Sequence, residues 1–274
     1  EFSGNSFHLH TYMGVYEIRD RDEAVSIMVD KANIAADTIK NNYDCCVAYY
    51  DEHLLEISIE QRRLLGEFEP ALQNDEFVMY LQPQVKRDGA AKGAEALVRW
   101  VHPSRGILTP YAFIDILENA GLIYKLDLYI WEKAAQKLAE WKEKGYGSYH
   151  ISVNISTKDF YIIDIYETFT GLINKYGIAA SNLHLEITET TLMTDFEKNM
   201  NIIHKLQGVG FRVEIDDFGS GYSSLNMLKD ISADVLKIDM GFLRKSENEV
   251  KGQDILESII TLAGKIGMDV ITEG

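Results

Sequence analysis

The sequence predicts an α/β protein whose larger part is a modified, TIM-like β/α barrel. From about Asn74 onward, short apolar segments alternate with amphipathic stretches, a pattern typical of βα units that build a largely parallel sheet. Seven such segments occur, which favours a barrel over an open, doubly wound sheet. No GxGxxG motif follows the first segment, and this further weakens the dinucleotide-binding alternative.

Each predicted strand is short and rich in apolar residues. In chain order they are FVMYLQPQV (77–85), AEALVRWV (94–101), HISVNIS (150–156), LHLEIT (183–188), RVEIDDF (212–218), VLKID (235–239) and DVITEG (269–274). The stretches between them predict amphipathic helices, such as the one over 128–145, where Leu128, Trp131 and Leu138 share an apolar face. Glycine closes several of these stretches, as expected at helix C-termini.

The first part of the chain, residues 1–56, is predicted to be a separate region. Strand-like segments at 7–18 and 45–51 flank a helix predicted over 22–40. Two strands and one helix cannot bury much core alone, so we interpret this region as the end of an α+β domain. A helix then connects the two regions, with Ser58 as its expected N-cap.

Charge and composition exclude several classes of function. The 274 residues include 27 basic and 43 acidic side chains, a formal charge of −16. Such a surface repels polyanions, so we expect no nucleic acid polymer as a partner, whereas a small anionic substrate bridged by metal ions is compatible with it. No run of about 18 apolar residues predicts a membrane contact within this chain. The adjacent Cys45 and Cys46 favour reduced thiols and a cytoplasmic location, as a free protein or as part of a larger membrane-attached one.

Two carboxylates, Asp216 and Asp217, end the strand at 212–218. Neighbouring strand residues point to opposite faces, so these two side chains reach one site only where the backbone turns. Gly219 and Gly221 follow directly and permit such a turn. For an isolated DDFGSG an ordinary turn is the favoured explanation, so the residues at the other strand ends must decide between a turn and a metal site.

Oxygen-bearing or cationic side chains lie at the end of nearly every predicted strand, where β/α barrels carry their chemistry. They are Glu95, Asn154, Glu186, Asp216, Asp217, Lys237 and Glu273. Carboxylate and amide oxygens without cysteine suit Mg²⁺ or Mn²⁺ rather than Zn²⁺. Several carboxylates in one place call for more than one ion, and two ions can clamp a phosphodiester. The seven histidines are scattered without an HxxxH motif, which disfavours a histidine metal site and makes His184 a structural residue.

A set of motifs in fixed order resembles the EAL domain. The motifs are LQPQV, AEALVRW, SVNIS, LEITET, DDFGSGYSSL, LKID and ITEG, and the resemblance covers about Asn74 to Gly274. It implies a modified β/α barrel that hydrolyses cyclic di-GMP to linear pGpG. Residues 1–56 resemble the C-terminal part of a GGDEF domain without its signature loop, and 57–73 form the connecting helix.

The resemblance implies a role for each matching residue. The ligands of a first ion are Glu95, Asn154, Glu186 and Asp216. Asp217 matches a ligand of a second ion, and Glu273 matches a residue that binds this ion directly or through water. Lys237 matches the catalytic lysine that positions the attacking water, with Glu95 also counted as catalytic, and Glu189 matches the residue that holds the loop after Asp217. The substrate-binding residues are Gln82, Leu97, Arg99 and Asp239.

The same resemblance implies two Mg²⁺ or Mn²⁺ ions, inhibition by Ca²⁺ and a homodimer formed through the EAL domain. Ser220 stands where the family has threonine, and the family's eighth strand would follow Gly274. Residues 74–274 are therefore expected to lack the last strand and helix, and residues 1–274 alone to be weakly active and to self-associate. A non-catalytic cyclic di-GMP receptor or regulatory module is the alternative. Retention of Glu95, Asp216 and Lys237 favours the enzyme.

Overall fold

The computed structural model describes residues 11–40, 45–86, 88–218, 231–239 and 249–273. The chain separates into two compact units, Glu1–Glu69 and Pro70–Gly274.

The first unit contains β1 (Met13–Val15), α1 (Val25–Asp37) and β2 (Val47–Tyr49). The two strands pair in parallel, and α1 packs against β1. A Cβ added to Gly14 would lie 1.7 Å from the carbonyl oxygen of Ala32, so only glycine allows this close approach of strand and helix. Cys45 is half-buried, Cys46 is exposed, and both are free thiols.

The helix α2 (Glu52–Gln73) begins earlier than the sequence predicted, so the assignment of Ser58 as its N-cap is wrong. Leu54 donates its backbone N–H to Asp51 Oδ1 at 3.0 Å, which is the capping interaction of a helix N-terminus. An aspartate directly before the first turn therefore caps this helix, and Ser58 lies in its interior.

The second unit is built on one mixed sheet. Its strands are β3 (Phe77–Val85), β4 (Ala91–His102), β5 (Gly106–Leu108), β6 (His150–Ile155), β7 (Leu183–Thr188), β8 (Arg212–Phe218), β9 (Val235–Asp239) and β10 (Asp269–Glu273). Their spatial order is β10-β9-β8-β7-β6-β4-β3, and β5 pairs with β4. Pairing is parallel from β4 to β10, whereas β3 and β5 run antiparallel to β4. The short β5 was not predicted, because three residues are too few to show an alternation.

Helices connect the parallel strands and pack on one side of the sheet. They are α3 (Ile114–Asn119), α4 (Ile123–Glu143), α5 (Asp159–Ile162), α6 (Ile165–Tyr176), α7 (Glu189–Thr194), α8 (Phe196–Val209) and α9 (Glu249–Lys265). Gly177 and Gly210 end α6 and α8 with φ angles of 62° and 108°, the left-handed conformation that glycine adopts at helix C-termini.

The two faces of the strands differ in character because successive side chains point to opposite sides. One face is apolar and fully buried; it includes Ile151, Val153, Leu185, Val213, Ile215 and Leu236. The alternate positions carry polar side chains, among them Asn154, Glu186, Asp216 and Lys237. Polar side chains on one face of an otherwise buried sheet indicate that the functional site lies on that face.

The sheet curls towards its polar face. β3 and β10 lie at the two ends of the strand order, and each pairs along one edge within the described part of the chain. Residues 82–86 of β3 and its continuation nevertheless line the same cavity, about 630 Å³, as Asp269–Glu273 of β10. This is the architecture of a modified, TIM-like β/α barrel, and the predicted fold class is confirmed.

Candidate active site

Lys237 lies at the centre of a cluster of carboxylates on the polar face of the sheet. Its side chain is 1% exposed, and its ammonium contacts four carboxylates from four other strands. The distances from Lys237 Nζ are 2.8 Å to Glu186 Oε2, 3.0 Å to Glu273 Oε1, 3.1 Å to Glu95 Oε2 and 3.2 Å to Asp216 Oδ1. We call this group, together with Asn154 and Asp217, the carboxylate rim.

The register of the parallel strands brings these residues together. Asn154 lies opposite Glu186 on β6 and β7, and Glu273 lies opposite Asp239 on β10 and β9. Asn154 also donates from Nδ2 to Glu95 Oε1 at 3.3 Å, which joins two of the predicted ligands of the first ion. The predicted metal-ligating residues thus gather around Lys237. Most of them lie in the carboxyl halves of their strands, but the prediction that Glu95 lies at a strand end is wrong, because β4 continues for seven residues beyond it to His102.

The rim carries more negative than positive charge. Four carboxylates contact one ammonium and Asp217 adds a fifth carboxylate, which gives a formal excess of four negative charges. Burial opposes the charged form of Lys237, but the carboxylates of Glu186 and Asp216 outweigh it and raise the lysine pKa. Burial raises the pKa of Glu186 well above its ordinary value and also raises that of Glu273. An excess of buried anions of this kind is stabilised by additional cations.

Asp217 itself forms the turn that the sequence assigned to the following glycines. Its φ angle is 56°, in the left-handed region that aspartate adopts more readily than most residues, and the pairing of β8 with β9 shifts between Ile215 and Phe218. Burial, and then the charges of Asp216 and Asp239, raise the pKa of Asp217, so the three carboxylates lie close together. Gly219 and Gly221 lie outside the described residues.

The substrate-binding residues predicted on β3 and β4 share one face with Glu95. Gln82 lies directly opposite Glu95, and Leu97 and Arg99 follow at alternate positions. The Arg99 guanidinium lies 5.7 Å from the centre of the Tyr80 ring, and its Nη1 donates to Val98 O at 2.8 Å.

Two further predicted residues lie near the rim. Asp239 follows Lys237 by two residues on β9 and is half-buried. Glu189 begins α7 directly after β7. The loop that Glu189 is predicted to hold lies outside the described residues.

Trp131 and Asp159 support the segment around Asn154, and neither role was predicted from the sequence. Trp131 Nε1 donates to the backbone oxygen of Asn154 at 2.9 Å, and Ser156 donates its backbone N–H to Asp159 Oδ2 at 2.9 Å in the turn that follows. Trp131 had been interpreted only as part of an apolar helix face. The signal was available, because a buried indole N–H needs an acceptor.

Asp159 also forms a carboxyl pair with Asp127 of α4, and this pair predicts a pH dependence of stability. Burial raises the pKa of Asp159 from 3.8 to about 6, and burial with the neighbouring Asp159 raises the pKa of Asp127 well above its ordinary value. The folded state therefore holds protons more tightly than the unfolded state. The resulting stability is fully present below pH 3.8 and is lost as the pH rises through about 6.

We expect Asp127→Asn to raise the free energy of unfolding at pH 8 by about 1–3 kcal/mol. The asparagine amide can donate a hydrogen bond to Asp159 at any pH, whereas Asp127 must keep its proton to do so. Urea unfolding at pH 5 and pH 8 measures this effect. The exposed Asp115→Asn is the control and should leave the pH dependence unchanged. An Asp127→Asn protein with the wild-type pH profile would contradict the shared proton.

Fold and site together define a β/α barrel domain with a carboxylate rim at the carboxyl ends of its strands. Residues 66–274 match the EAL domain, and the chain belongs to the EAL domain family. The chain is 31% identical over 241 residues to the bifunctional diguanylate cyclase/cyclic di-GMP phosphodiesterase MucR of Pseudomonas aeruginosa, covering 88% of this chain and 35% of MucR. It is 31% identical over 204 residues to the cyclic di-GMP phosphodiesterase PdeR of Escherichia coli, covering 74% of this chain and 31% of PdeR.

The solved structure of the MucR phosphodiesterase in complex with cyclic di-GMP has a similar fold. The TM-score is 0.72 at 32% sequence identity, covering 77% of this chain and 86% of that chain. The chain spans about a third of the length of the two curated relatives. None of the described helices combines the length and the apolar character needed to cross a membrane.

Proposed function

We propose that this chain forms a cyclic di-GMP phosphodiesterase that produces linear pGpG. The observation that carries the proposal is the carboxylate rim, in which Lys237 contacts the carboxylates of Glu95, Glu186, Asp216 and Glu273. MucR and PdeR are named for this activity, and the MucR structure contains cyclic di-GMP.

The rim fits divalent cations that prefer oxygen ligands. Its donors are carboxylate and amide oxygens, which suit Mg²⁺ and Mn²⁺. Glu186 is buried and pairs with the carboxyl of Glu214, so a proton or a cation must offset the negative charge of the two side chains. We assign Glu95, Asn154, Glu186 and Asp216 to a first ion and Asp217 and Glu273 to a second. Such ions neutralise the charge that develops on a phosphodiester during hydrolysis.

Lys237 holds its proton, which defines its role in the reaction. Hydrolysis forms a bond from a water oxygen to phosphorus and breaks the bond from phosphorus to the 3′ oxygen, which takes up a proton. Because the surrounding carboxylates raise the pKa of Lys237, its ammonium orients the attacking oxygen and stabilises negative charge instead of accepting the proton. Gln82, Leu97, Arg99 and Asp239 are proposed to bind the substrate, and Glu189 to hold the loop after Asp217.

We further propose that residues 1–56 are the C-terminal part of a GGDEF-like domain, joined through 57–73 to the EAL domain at 74–274. The parallel β1–α1–β2 arrangement is compatible with the end of an α+β domain. The protein is proposed to act in the cytoplasm and to form a homodimer through its EAL domain.

Removal of divalent cations should abolish hydrolysis of cyclic di-GMP. After exhaustive chelation, we expect Mg²⁺ or Mn²⁺ to restore production of pGpG and Ca²⁺ to inhibit it, because calcium takes more ligands at longer distances. Chromatographic measurement of pGpG, with Glu95→Ala as the inactive control, tests this. Full activity after chelation would contradict the role of metal ions, and binding of cyclic di-GMP without turnover in Mg²⁺ would favour the receptor alternative.

A further inference from the structure

Glu214 lies next to the carboxylate rim, on the same face of the sheet and nearer the amino ends of the strands. It precedes Asp216 by two residues on β8, and the strand register places it opposite Glu186 on β7. Both glutamate side chains are buried. Glu186 Oε2 contacts Lys237 Nζ at 2.8 Å, and the Glu186 carboxyl also pairs with that of Glu214. Two side chains therefore hold the Glu186 carboxyl, one within the rim and one beside it.

His184 holds the opposite side of the Glu214 carboxyl. Its Nδ1 donates to Glu214 Oε1 at 2.5 Å, and the imidazole is buried as well. Glu214 thus has one hydrogen-bond partner on each side of its carboxyl, His184 and Glu186. A buried carboxyl that is hydrogen-bonded on both sides is fixed in one orientation, since turning it would leave polar atoms without partners.

The imidazole of His184 is itself held by His150. The two rings stack with their centres 3.8 Å apart and an angle of 3° between their planes. His150 Nε2–H donates to Gln84 Oε1 at 2.6 Å, and Gly93 leaves space for the ring, because a Cβ at this position would lie 2.5 Å from the ring atoms. A continuous series of contacts therefore leads from β3 and β6 to Glu186 in the rim.

We propose that Glu214 is a positioning residue, which orients the Glu186 carboxylate for the first metal ion of the rim. This inference rests on the proposed function, in which Glu186 is a ligand of that ion. A glutamate side chain has several rotatable bonds, so its carboxylate turns away from a metal ion unless other groups fix it. Hydrogen bonds from outside the ligand set commonly provide this restraint. Glu214 provides it for Glu186, and His184 keeps Glu214 in place.

The contact between the two glutamates requires a donor. A carboxylate only accepts hydrogen bonds, so the pair shares one proton. Glu214→Gln supplies the donor in another form, because the amide nitrogen can donate to Glu186 and the amide oxygen can accept from His184 Nδ1–H. Glu214→Leu has a side chain of similar size that makes neither hydrogen bond. The two substitutions therefore separate hydrogen bonding to Glu186 from the filling of space.

Titration of the metal-depleted protein with Mn²⁺, without substrate, tests the proposal. Electron paramagnetic resonance follows the free ion, since the sharp signal of aqueous Mn²⁺ broadens when the ion binds. We expect Glu214→Leu to weaken Mn²⁺ binding by about 10- to 100-fold, the usual effect of removing an outer partner of a metal ligand. Glu214→Gln should retain the affinity of the wild type.

His184→Phe and His150→Phe form a matched pair that tests how Glu214 is held. Each replaces a buried imidazole with a phenyl ring, which can preserve the stack. Only His184→Phe removes a hydrogen bond to Glu214. We expect weaker Mn²⁺ binding in His184→Phe and wild-type binding in His150→Phe. Circular dichroism verifies that each variant is folded. A purely structural role would lower the unfolding temperature but leave the Mn²⁺ affinity of the folded protein unchanged.

The possible outcomes distinguish a failure of this inference from a failure of the proposed function. Wild-type Mn²⁺ affinity in folded Glu214→Leu, or equal losses in Glu214→Leu and Glu214→Gln, would overturn the positioning role while the metal site stands. Absence of Mn²⁺ binding in the wild type would overturn both. If Glu214→Leu did not fold, Glu214→Gln and the two histidine variants would decide, and equal affinities in His184→Phe and His150→Phe would then overturn the inference.

Discussion

Lys237→Ala is expected to reduce the turnover of cyclic di-GMP by at least about a hundredfold, because it removes the cation that stabilises charge at the reacting phosphate. The substitution should also lower the free energy of unfolding in chelator by about 3–5 kcal/mol, the usual cost of removing one partner of a buried ion pair. Four carboxylates that now contact Lys237 Nζ would then repel one another without compensation. Kinetics in Mg²⁺ and urea unfolding in chelator measure the two effects.

Lys133→Ala is the matched control, because Lys133 pairs with Asp75 at 2.9 Å on the surface. Its loss should cost less than about 1 kcal/mol and leave turnover unchanged. If Lys237→Ala weakened substrate binding but kept the wild-type turnover rate, Lys237 would be a binding residue and its assignment to the reaction would be wrong. Binding of cyclic di-GMP measured with Ca²⁺ separates these outcomes.

The strands and the rim were predictable because both depend on local patterns. Apolar segments with a period of two residues gave strand bounds such as 183–188 and 235–239, which the structure reproduces. Polar residues at the carboxyl ends of parallel strands meet at one edge whatever the details of packing. This general property placed Glu186 and Lys237 on one rim, although only the structure shows that their side chains touch, at 2.8 Å.

The backbone at Asp217 was harder to predict, because the sequence offered a simpler explanation. Glycine is the usual residue for a positive φ angle, and two glycines follow. The structure instead gives Asp217 a φ of 56° at an irregularity in the pairing of β8 with β9. The conformational propensity of single residues does not predict a shift in strand register, because such a shift arises from the way a strand pairs with its neighbour.

The contacts among His150, His184 and Glu214, which are buried on β6, β7 and β8, were not predicted for a related reason. A motif such as HxxxH reports spacing within one element, whereas these side chains meet across three strands. A usable signal existed, because each residue occupies the same alternate positions as the rim residues on its own strand. Polar residues that recur at every second position of an apolar strand indicate a polar interior face, and this pattern extends below the rim.

Asp216→Asn should abolish hydrolysis and remove stabilisation by Mg²⁺ at the same time. In the wild type, an Mg²⁺ concentration a hundred times its dissociation constant should raise the free energy of unfolding by about 2.7 kcal/mol. The asparagine keeps the size of the side chain but removes one anion from a cluster whose carboxylates already outnumber Lys237. The metal-free variant should therefore be at least as stable as the metal-free wild type, whereas a purely structural role for Asp216 predicts a loss. Thermal unfolding with chelator and with Mg²⁺, together with an assay of pGpG production, distinguishes the two roles.

Asp195→Ala is the control, because Asp195 is exposed and its side chain makes no capping hydrogen bond. This variant should keep both activity and stabilisation by Mg²⁺. Retention of the full Mg²⁺ effect in Asp216→Asn would show that Asp216 does not bind the ion.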